Sequence, residues 1–349
     1  MRAARWYGRG DVRICDVPEP QVIPGHVKIE VKWCGICGSD VAEYLKGPMF
    51  MPAGVHPVTG CAPPITVGHE FSGVIVELGD DVSNFAVGDR VVVDPYAICG
   101  ECFWCRRKEG GSLCERLNII GFFSDGGFAK YVVVPAKQVY RIGDLSFDVA
   151  ALTQLTVLGV HITRSAMLKA DETALIIGAG PIGLANLQAA KNIGAKVIIA
   201  ELSEARRRVA REFKADMVLD PRKDDIAEAV LNETEGRGAD VALECVGNES
   251  TMRTCFELTR KGGSIVAIGF SEALFPTKVN DLIKTKRKVI GTLGYGDEFG
   301  ATVELLQKTE HTAREMITAR IQLEDIVDKG YEELVEHKDK HIKILVKPE

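Results

Sequence analysis

The sequence predicts an α/β protein of two domains, a doubly wound parallel sheet inserted into a β-rich domain to which the C-terminal segment returns. Three observations carry this. The first ~150 residues hold short β-branched segments bounded by turn residues. From about Ala150, short apolar strands alternate with helix-period stretches, the pattern of a parallel sheet covered on both faces. The chain has 349 residues, and at roughly 150 residues per domain that is enough for two separate cores. Residues 1–150 and 291–349 are therefore assigned to the β-rich domain and residues 151–290 to the parallel-sheet domain.

In the first domain, Val27–Val31 and Arg90–Val93 read as strands, and Val87-Gly88-Asp89 as the turn before the second. The Gly/Pro-rich stretch from Lys46 to Pro64 reads as a long surface loop, of a length that usually carries function. In the second domain the expected strands are Ala174–Ile177, Lys196–Ala200, Met217–Leu219, Val241–Glu244 and Ser264–Ile268. Helices are expected between them at Ile182–Ile193, Glu204–Phe213, Ile226–Glu235 and Ser250–Lys261. The chain ends on an apolar strand, Ile342–Val346.

Composition excludes several function classes. With 46% hydrophobic and 26% charged residues the chain is ordinary globular protein. Its formal charge of −6 argues against a nucleic-acid partner, which calls for a basic excess. No apolar run approaches the ~18 residues of a membrane span. Met1–Trp6 has a charged start without an apolar core, so no signal peptide and a cytoplasmic location are expected.

Gly178-Ala179-Gly180-Pro181-Ile182-Gly183 follows the strand Ala174–Ile177 and opens a helix. In that context the glycines allow a tight turn, close approach of a pyrophosphate and close helix–strand packing, while the helix N-terminus holds the anion. Eighteen residues past Gly183, Glu201 ends the next strand, where a carboxylate accepts from the adenosine ribose hydroxyls and repels a 2′-phosphate. A glycine turn in some other α/β protein is the competing reading. Arg206 to Arg208 complicate the preference for NAD, since an arginine there can take a 2′-phosphate; a solvated helix face is the simpler reading of those three.

Ten cysteines are the compositional excess. In a reducing compartment clustered thiols bind metal more often than they form disulfides. Cys99, Cys102, Cys105 and Cys114, in a lobe spanning 96–116, supply four thiolates, which closes a tetrahedral zinc site with no open position. Such a site orders a loop and cannot polarise a substrate. Elsewhere, Cys37 lies in Cys34-Gly35-Ile36-Cys37-Gly38-Ser39-Asp40, with Gly68-His69-Glu70 downstream. Cys37, His69 and Glu70 would make an open three-ligand zinc site, but residue types alone do not separate this from a polar turn.

The order of Cys37–Asp40, Gly68–Glu70, the Cys99–Cys114 lobe, Gly178–Gly183 and Glu244-Cys245-Val246-Gly247 resembles zinc-dependent medium-chain dehydrogenases over essentially the whole chain. Within that family, Trp33–Asp40, Glu43-Tyr44-Leu45, Gly47-Pro48, His56-Pro57 and Ile326–Tyr331 are similar to the sorbitol and 2,3-butanediol dehydrogenase-like branch. The resemblance implies a Rossmann domain that binds NAD and a GroES-like catalytic domain. It implies a catalytic zinc on Cys37, His69 and Glu70, a second, structural zinc on the lobe cysteines, and Ser39 as the start of a proton relay. Cofactor contacts would come from Gly178, Gly180, Pro181, Ile182, Gly183, Glu201, Arg206 and Val246.

The activity implied is interconversion of a small secondary alcohol or vicinal diol with its ketone, foremost 2,3-butanediol and acetoin, in a homo-oligomer, dimer or tetramer. Another polyol, sugar or threonine dehydrogenase, and an inactive nucleotide-binding relative, are the alternatives. The chain departs from the branch at three places. Gln154-Leu155 stands where a Glu-Pro pair is usual, with the Glu beside the zinc. Ala42 stands for a proton-passing histidine. Gly294-Tyr295 replaces an Arg-Tyr pair that holds extra hydroxyls, which points toward a less polar substrate. The lobe also has one residue more than usual between its third and fourth cysteines.

Overall fold

The computed structural model describes residues 1–107, 111–272, 277–337 and 339–348. It divides into two compact units, Met1–Gln154 with Gly296–Glu349, and Leu155–Tyr295. Each division lies a few residues C-terminal to the expected one.

In the first unit the described residues form a seven-stranded sheet. Its path runs Val139–Arg141, Arg90–Val93, Glu70–Leu78, His26–Gly35, Lys343–Lys347 and Ile317–Gln322, and Tyr131–Pro135 also pairs with His26–Gly35. The long strand His26–Gly35 is the hub of the candidate site. Its last residue, Gly35, faces Glu70 on one side and Leu345 on the other, so the C-terminal strand reaches the start of Glu70–Leu78. Phe71, Phe128, Ile29, Ile75 and Tyr331 fill the core of this unit. Leaving Gly35, the chain enters the helix Gly38–Lys46. The segment from there to Ile65 carries neither helix nor strand, as its glycines and prolines predict. Tyr96–Ala97 and Asn118–Ile119 pair antiparallel at the base of the cysteine lobe; residues 108–110 of that lobe lie outside the described residues.

The second unit is a six-stranded, all-parallel sheet in the order Met217–Leu219, Lys196–Ala200, Thr173–Ile177, Ala239–Glu244, Thr259–Ala267, Lys288–Gly291. Counted within the unit this is 3-2-1-4-5-6, with a switch point between Thr173–Ile177 and Ala239–Glu244, where α/β sheets bind ligands at the strands' carboxyl ends. The central strands are buried apart from the half-buried Asp240, as a parallel sheet covered on both faces requires. Three crossover helices start on side-chain caps. Ser203, Asp225 and Asn248 accept from the N–H groups of Arg206, Glu228 and Thr251, satisfying donors that a helix start leaves unpaired. The sixth strand, Lys288–Gly291, was not expected from the sequence. It is four residues long, largely exposed and rich in basic neighbours, so the buried-strand pattern does not mark it.

Candidate functional site

Three of the expected ligands converge in the first unit. Cys37 caps the helix Gly38–Lys46, His69 ends the turn after Ile65–Thr66, and Glu70 opens the next strand. Their ligand atoms lie within 4.8 Å of one another. His69 and Glu70 are buried and Cys37 is half-buried. One thiolate, one imidazole and one carboxylate around an open position are the donor set of a catalytic zinc, and the residues fit that ion. Ser39 sits half-buried in the first turn of the same helix, two residues from Cys37.

Two neighbours that sequence reading gave no role complete the site. Asp40 is buried, and its Oδ1 lies 3.5 Å from His69 Nδ1, an ion-pair distance with no hydrogen bond between the two atoms. A carboxylate behind a ligating imidazole fixes the ring and its tautomer. Asp40 Oδ2 in turn accepts from the Cys37 N–H at 2.8 Å. Burial disfavours a charged His69, yet Asp40 and Cys37 beside it raise its pKa well above the ordinary value; a bound cation would meet the same negative field.

The second neighbour is Lys343, from the C-terminal strand. Its Nζ donates to Glu70 Oε2 at 2.7 Å, to Glu70 Oε1 at 2.9 Å and to the Ile36 carbonyl at 3.0 Å. Burial disfavours the Lys343 cation, but Glu70 and Cys37 raise its pKa. The signal for Asp40 was its place three residues past Cys37; for Lys343 it was a lysine within the apolar segment Ile342–Val346. Gln154 lies in the first turn of the helix Thr153–Ser165, is buried, and its Oε1 has no hydrogen-bond partner among the described residues.

The lobe cysteines also gather. The four Sγ atoms lie within 4.8 Å of one another, with Cys102 and Cys105 3.4 Å apart and Cys99 and Cys105 3.9 Å apart. Those separations exclude disulfides and match the edges of a tetrahedron built on zinc–sulfur bonds of about 2.3 Å. The Cys102 N–H donates to Cys99 Sγ and the Cys99 N–H to Cys114 Sγ, each at 3.3 Å. Burial pushes the Cys99 thiol up, but the Cys102 N–H and the Arg116 guanidinium outweigh it and hold the group at about 6. A thiol so readily ionised is a competent zinc ligand.

In the second unit the glycine turn joins Thr173–Ile177 to the helix Pro181–Ile193, with Pro181 at its first position. A Cβ on Gly183 would stand 1.9 Å from the Gly178 carbonyl oxygen, so only glycine lets helix and turn pack this closely. Above Gly180 the nearest atom to such a Cβ would be Arg206 Nη1, at 3.8 Å. That leaves open backbone with a guanidinium beside it, a cradle for a pyrophosphate. Glu201 accepts from the Ala179 N–H at 2.7 Å and from the Ser203 N–H at 2.8 Å, so it braces the turn that it was expected to serve only through the ribose. Val246 is exposed over the turn, its Cγ2 2.8 Å from where a Gly178 Cβ would lie. Buried Glu244 fixes that residue's turn by accepting from the N–H groups of Val246 and Gly247 and from Thr251 Oγ1.

One expectation is corrected here. Arg206 to Arg208 do not form a uniformly solvated face, because Arg207 is buried. It donates to the Glu201 and Leu202 carbonyls at 2.7 and 2.6 Å and pairs with Asp220 at 3.1 Å. Its charge is spent on fixing the end of the second strand.

Residues 23–144 match the alcohol dehydrogenase GroES-like domain, and residues 181–308 the zinc-binding dehydrogenase family. The (R,R)-butanediol dehydrogenase of Bacillus subtilis (strain 168) is 39% identical, with 100% of each chain covered. A sorbitol dehydrogenase of Halalkalibacterium halodurans is 33% identical over 98% of this chain and 97% of that one. The crystal structure of 2R,3R-butanediol dehydrogenase from Bacillus subtilis superposes with a TM-score of 0.92 at 38% identity, covering 100% of this chain and 99% of that chain. Donor chemistry and ancestry agree: the chain belongs to the zinc-dependent medium-chain dehydrogenase/reductase family, in its sorbitol and butanediol dehydrogenase-like branch, and is an oxidoreductase of CH–OH groups that uses zinc and NAD.

Proposed function

We propose that this enzyme interconverts a small vicinal diol and its hydroxyketone, with 2,3-butanediol and acetoin as the substrate pair. The observation that carries this is the convergence of Cys37, His69 and Glu70 in a chain that matches butanediol dehydrogenases from end to end. When bound, zinc supplies Lewis acidity toward the substrate oxygen, and the nicotinamide is the two-electron acceptor. Cys37, His69 and Glu70 hold the metal, while Asp40 orients His69 and Lys343 restrains Glu70. Ser39 accepts the proton that the substrate hydroxyl gives up. With Ala42 unable to titrate, that proton leaves through water and cofactor hydroxyls. Gln154, whose buried amide oxygen has no hydrogen-bond partner among the described residues, would serve as an acceptor or donor atom beside the metal when it is bound. The N–H groups after Gly178 hold the pyrophosphate with Arg206, Glu201 accepts from the adenosine ribose, and Val246 packs against the cofactor. The lobe cysteines hold the structural zinc.

The working form is a cytoplasmic homo-oligomer, dimer or tetramer. Among the described residues, edge strand Lys288–Gly291 pairs only with Thr259–Ala267, and Val279, Ile283, Val289 and Leu293 stand exposed around it in the chain, the kind of apolar edge that association covers. No helix of the described residues is long and apolar enough to cross a membrane.

The decisive test combines elemental analysis with NAD reduction on racemic and meso-2,3-butanediol, beside sorbitol and threonine. About two zinc ions per chain are expected from the two donor sets, with the diol the best substrate. Activity retained at near-zero zinc, or a faster reaction with sorbitol or threonine, overturns the proposal.

A further inference from the structure

The sequence singles out Glu43 and the following Gly47-Pro48, and none of the chemistry above uses them. Glu43 lies near the end of the helix that begins at Cys37, and it is 1% exposed. No cation is paired with its carboxylate among the described residues. Instead it collects backbone donors from the start of the long loop. The Met49 N–H donates to Oε1 at 3.0 Å and to Oε2 at 3.1 Å, and the Met51 N–H to Oε1 at 3.0 Å. The Phe50 N–H donates to the same Oε1. The loop turns back tightly to achieve this: a Cβ on Gly47 would stand 2.5 Å from both the Glu43 carbonyl and its Oε2, and 2.8 Å from Trp6. A buried carboxylate saturated by three successive N–H groups is an expensive anchor unless the segment it holds must be placed accurately.

What it places leads to the metal site. The Phe50 ring packs on Phe122 with centroids 5.7 Å apart, and Phe122 covers the His69 ring at 4.8 Å. Phe122 sits in a turn packed on the site: a Cβ on the preceding Gly121 would meet the Gly68 carbonyl at 2.4 Å, and the Phe122 N–H donates to the Ile119 carbonyl at 3.0 Å. Phe122 is therefore fixed by its own turn, whereas Phe50 rides on a loop whose position Glu43 sets. Phe50 and Phe122 present an apolar cover beside His69 that offers no partner to an additional substrate hydroxyl, and a polar group pressed against such a cover loses its hydration uncompensated.

We infer that Glu43 is a positioning residue: by pinning the Met49–Met51 amides it sets Phe50 against Phe122, and so makes the site discriminate a methyl-flanked diol from a polyol of the same reactive group. The inference rests on the diol reading above and adds the origin of its selectivity. Apolar pockets of this kind discriminate by about 10- to 200-fold per group.

The test measures kcat and KM on 2,3-butanediol and on sorbitol for wild type, Glu43→Ala, Glu43→Gln and Phe50→Ala, with zinc content and NAD affinity recorded for each. Wild type fails the diol reading, independently of Glu43, if it does not prefer 2,3-butanediol. Given that preference, Glu43→Ala should raise KM for the diol and lower the diol-to-sorbitol ratio of kcat/KM about tenfold, with zinc content and NAD affinity unchanged. Glu43→Gln keeps an acceptor oxygen for the three amides and should restore most of the ratio. Phe50→Ala should reproduce the loss with Glu43 intact, and it supplies the same readout if Glu43→Ala does not fold. An unchanged ratio in Glu43→Ala, an equal fall in kcat on both substrates at constant KM, or a Phe50→Ala variant as selective as wild type overturns the inference.

Discussion

Replacing Lys343 by methionine removes one half of an ion pair that water scarcely reaches. The side chains of Lys343 and Glu70 are 2% and 0% exposed, and Nζ contacts both carboxylate oxygens, the nearer at 2.7 Å. Methionine keeps most of the lysine's length, so packing is largely preserved and the damage is electrostatic: a desolvated carboxylate is left without its cation. Cutting a buried pair from one side costs about 3–5 kcal/mol. For a unit of the size formed by Met1–Gln154 and Gly296–Glu349, that corresponds to roughly 10 °C in melting temperature. The full cost applies to metal-free protein. In zinc-loaded protein Glu70 has a second cationic partner, so the same substitution should cost less. Thermal unfolding followed by circular dichroism, with and without a chelator, measures both. Lys343→Met should melt roughly 10 °C below wild type in chelator and by a smaller margin with zinc. Glu70→Gln combined with Lys343→Met, which leaves no buried charge, should recover most of the metal-free loss. A single variant that melts within about 2 °C of wild type in chelator, or a double variant that falls as far as the single one, would refute this reasoning.

Four further outcomes are expected. Glu201→Ala should raise KM for NAD by about tenfold and narrow the advantage of NAD over NADP, because it removes both the ribose acceptor and the brace on the Ala179 and Ser203 N–H groups; a wild type that reduces NADP faster at equal concentration contradicts the NAD assignment. Gln154→Leu should leave folding stability unchanged or raise it, since the buried Oε1 has no partner to lose, while kcat/KM falls; undiminished turnover would make Gln154 a packing residue only. Cys99→Ser should lower melting temperature and total zinc more than it lowers the turnover of surviving enzyme, as a closed four-thiolate site requires, and the reverse pattern would place the reactive metal in the lobe. Burial pushes the Asp148 carboxyl up, but Arg320, Ser146 and Arg314 outweigh it and hold its pKa below the usual value. Its stabilisation is therefore complete above the ordinary carboxyl pKa of about 3.9 and is lost as pH falls through the lower folded value, so Asp148→Asn should flatten the acid limb of an unfolding titration; an unchanged limb would assign it elsewhere.

The parallel-sheet unit was legible because its signals are local. A strand, a glycine turn and a helix stand consecutively in the chain, and burial on both faces writes itself as runs such as Ala174–Ile177. The sixth strand escaped because an exposed edge strand carries no such run. The metal donors were legible as residue types, but their convergence depends on pairing between distant segments: Gly35 with Glu70, and Leu345 with Gly35. For the same reason Lys343 stood out only as a lysine in an apolar segment, with nothing local to name Glu70 as its partner. Arg207 misled for a related cause. Three consecutive arginines read as a charged face, yet helical geometry turns successive residues by about 100°, and the middle one points to Asp220 and the strand-end carbonyls.

The charge balance at the candidate site follows from these placements. Cys37, as a thiolate, and the carboxylates of Asp40 and Glu70 are anionic, and Lys343 is the one lysine or arginine in contact with them among the described residues. With three anions and one cation the set is net negative before a divalent cation enters, which favours the ion's retention, and neutral afterwards. A neutral site suits a developing alkoxide better than an anionic one, because stabilisation there is specific to the charge that appears during reaction. A glutamate at position 154, in the role proposed for Gln154, would make the set net negative again; the amide can hold a ligand in place without doing so. Lys343 and Gln154 then act in the same direction, one by offsetting Glu70 and the other by declining to add an anion. On the proposed reading Gln154 therefore tunes the acidity of the site, with Ser39 left to carry the proton away.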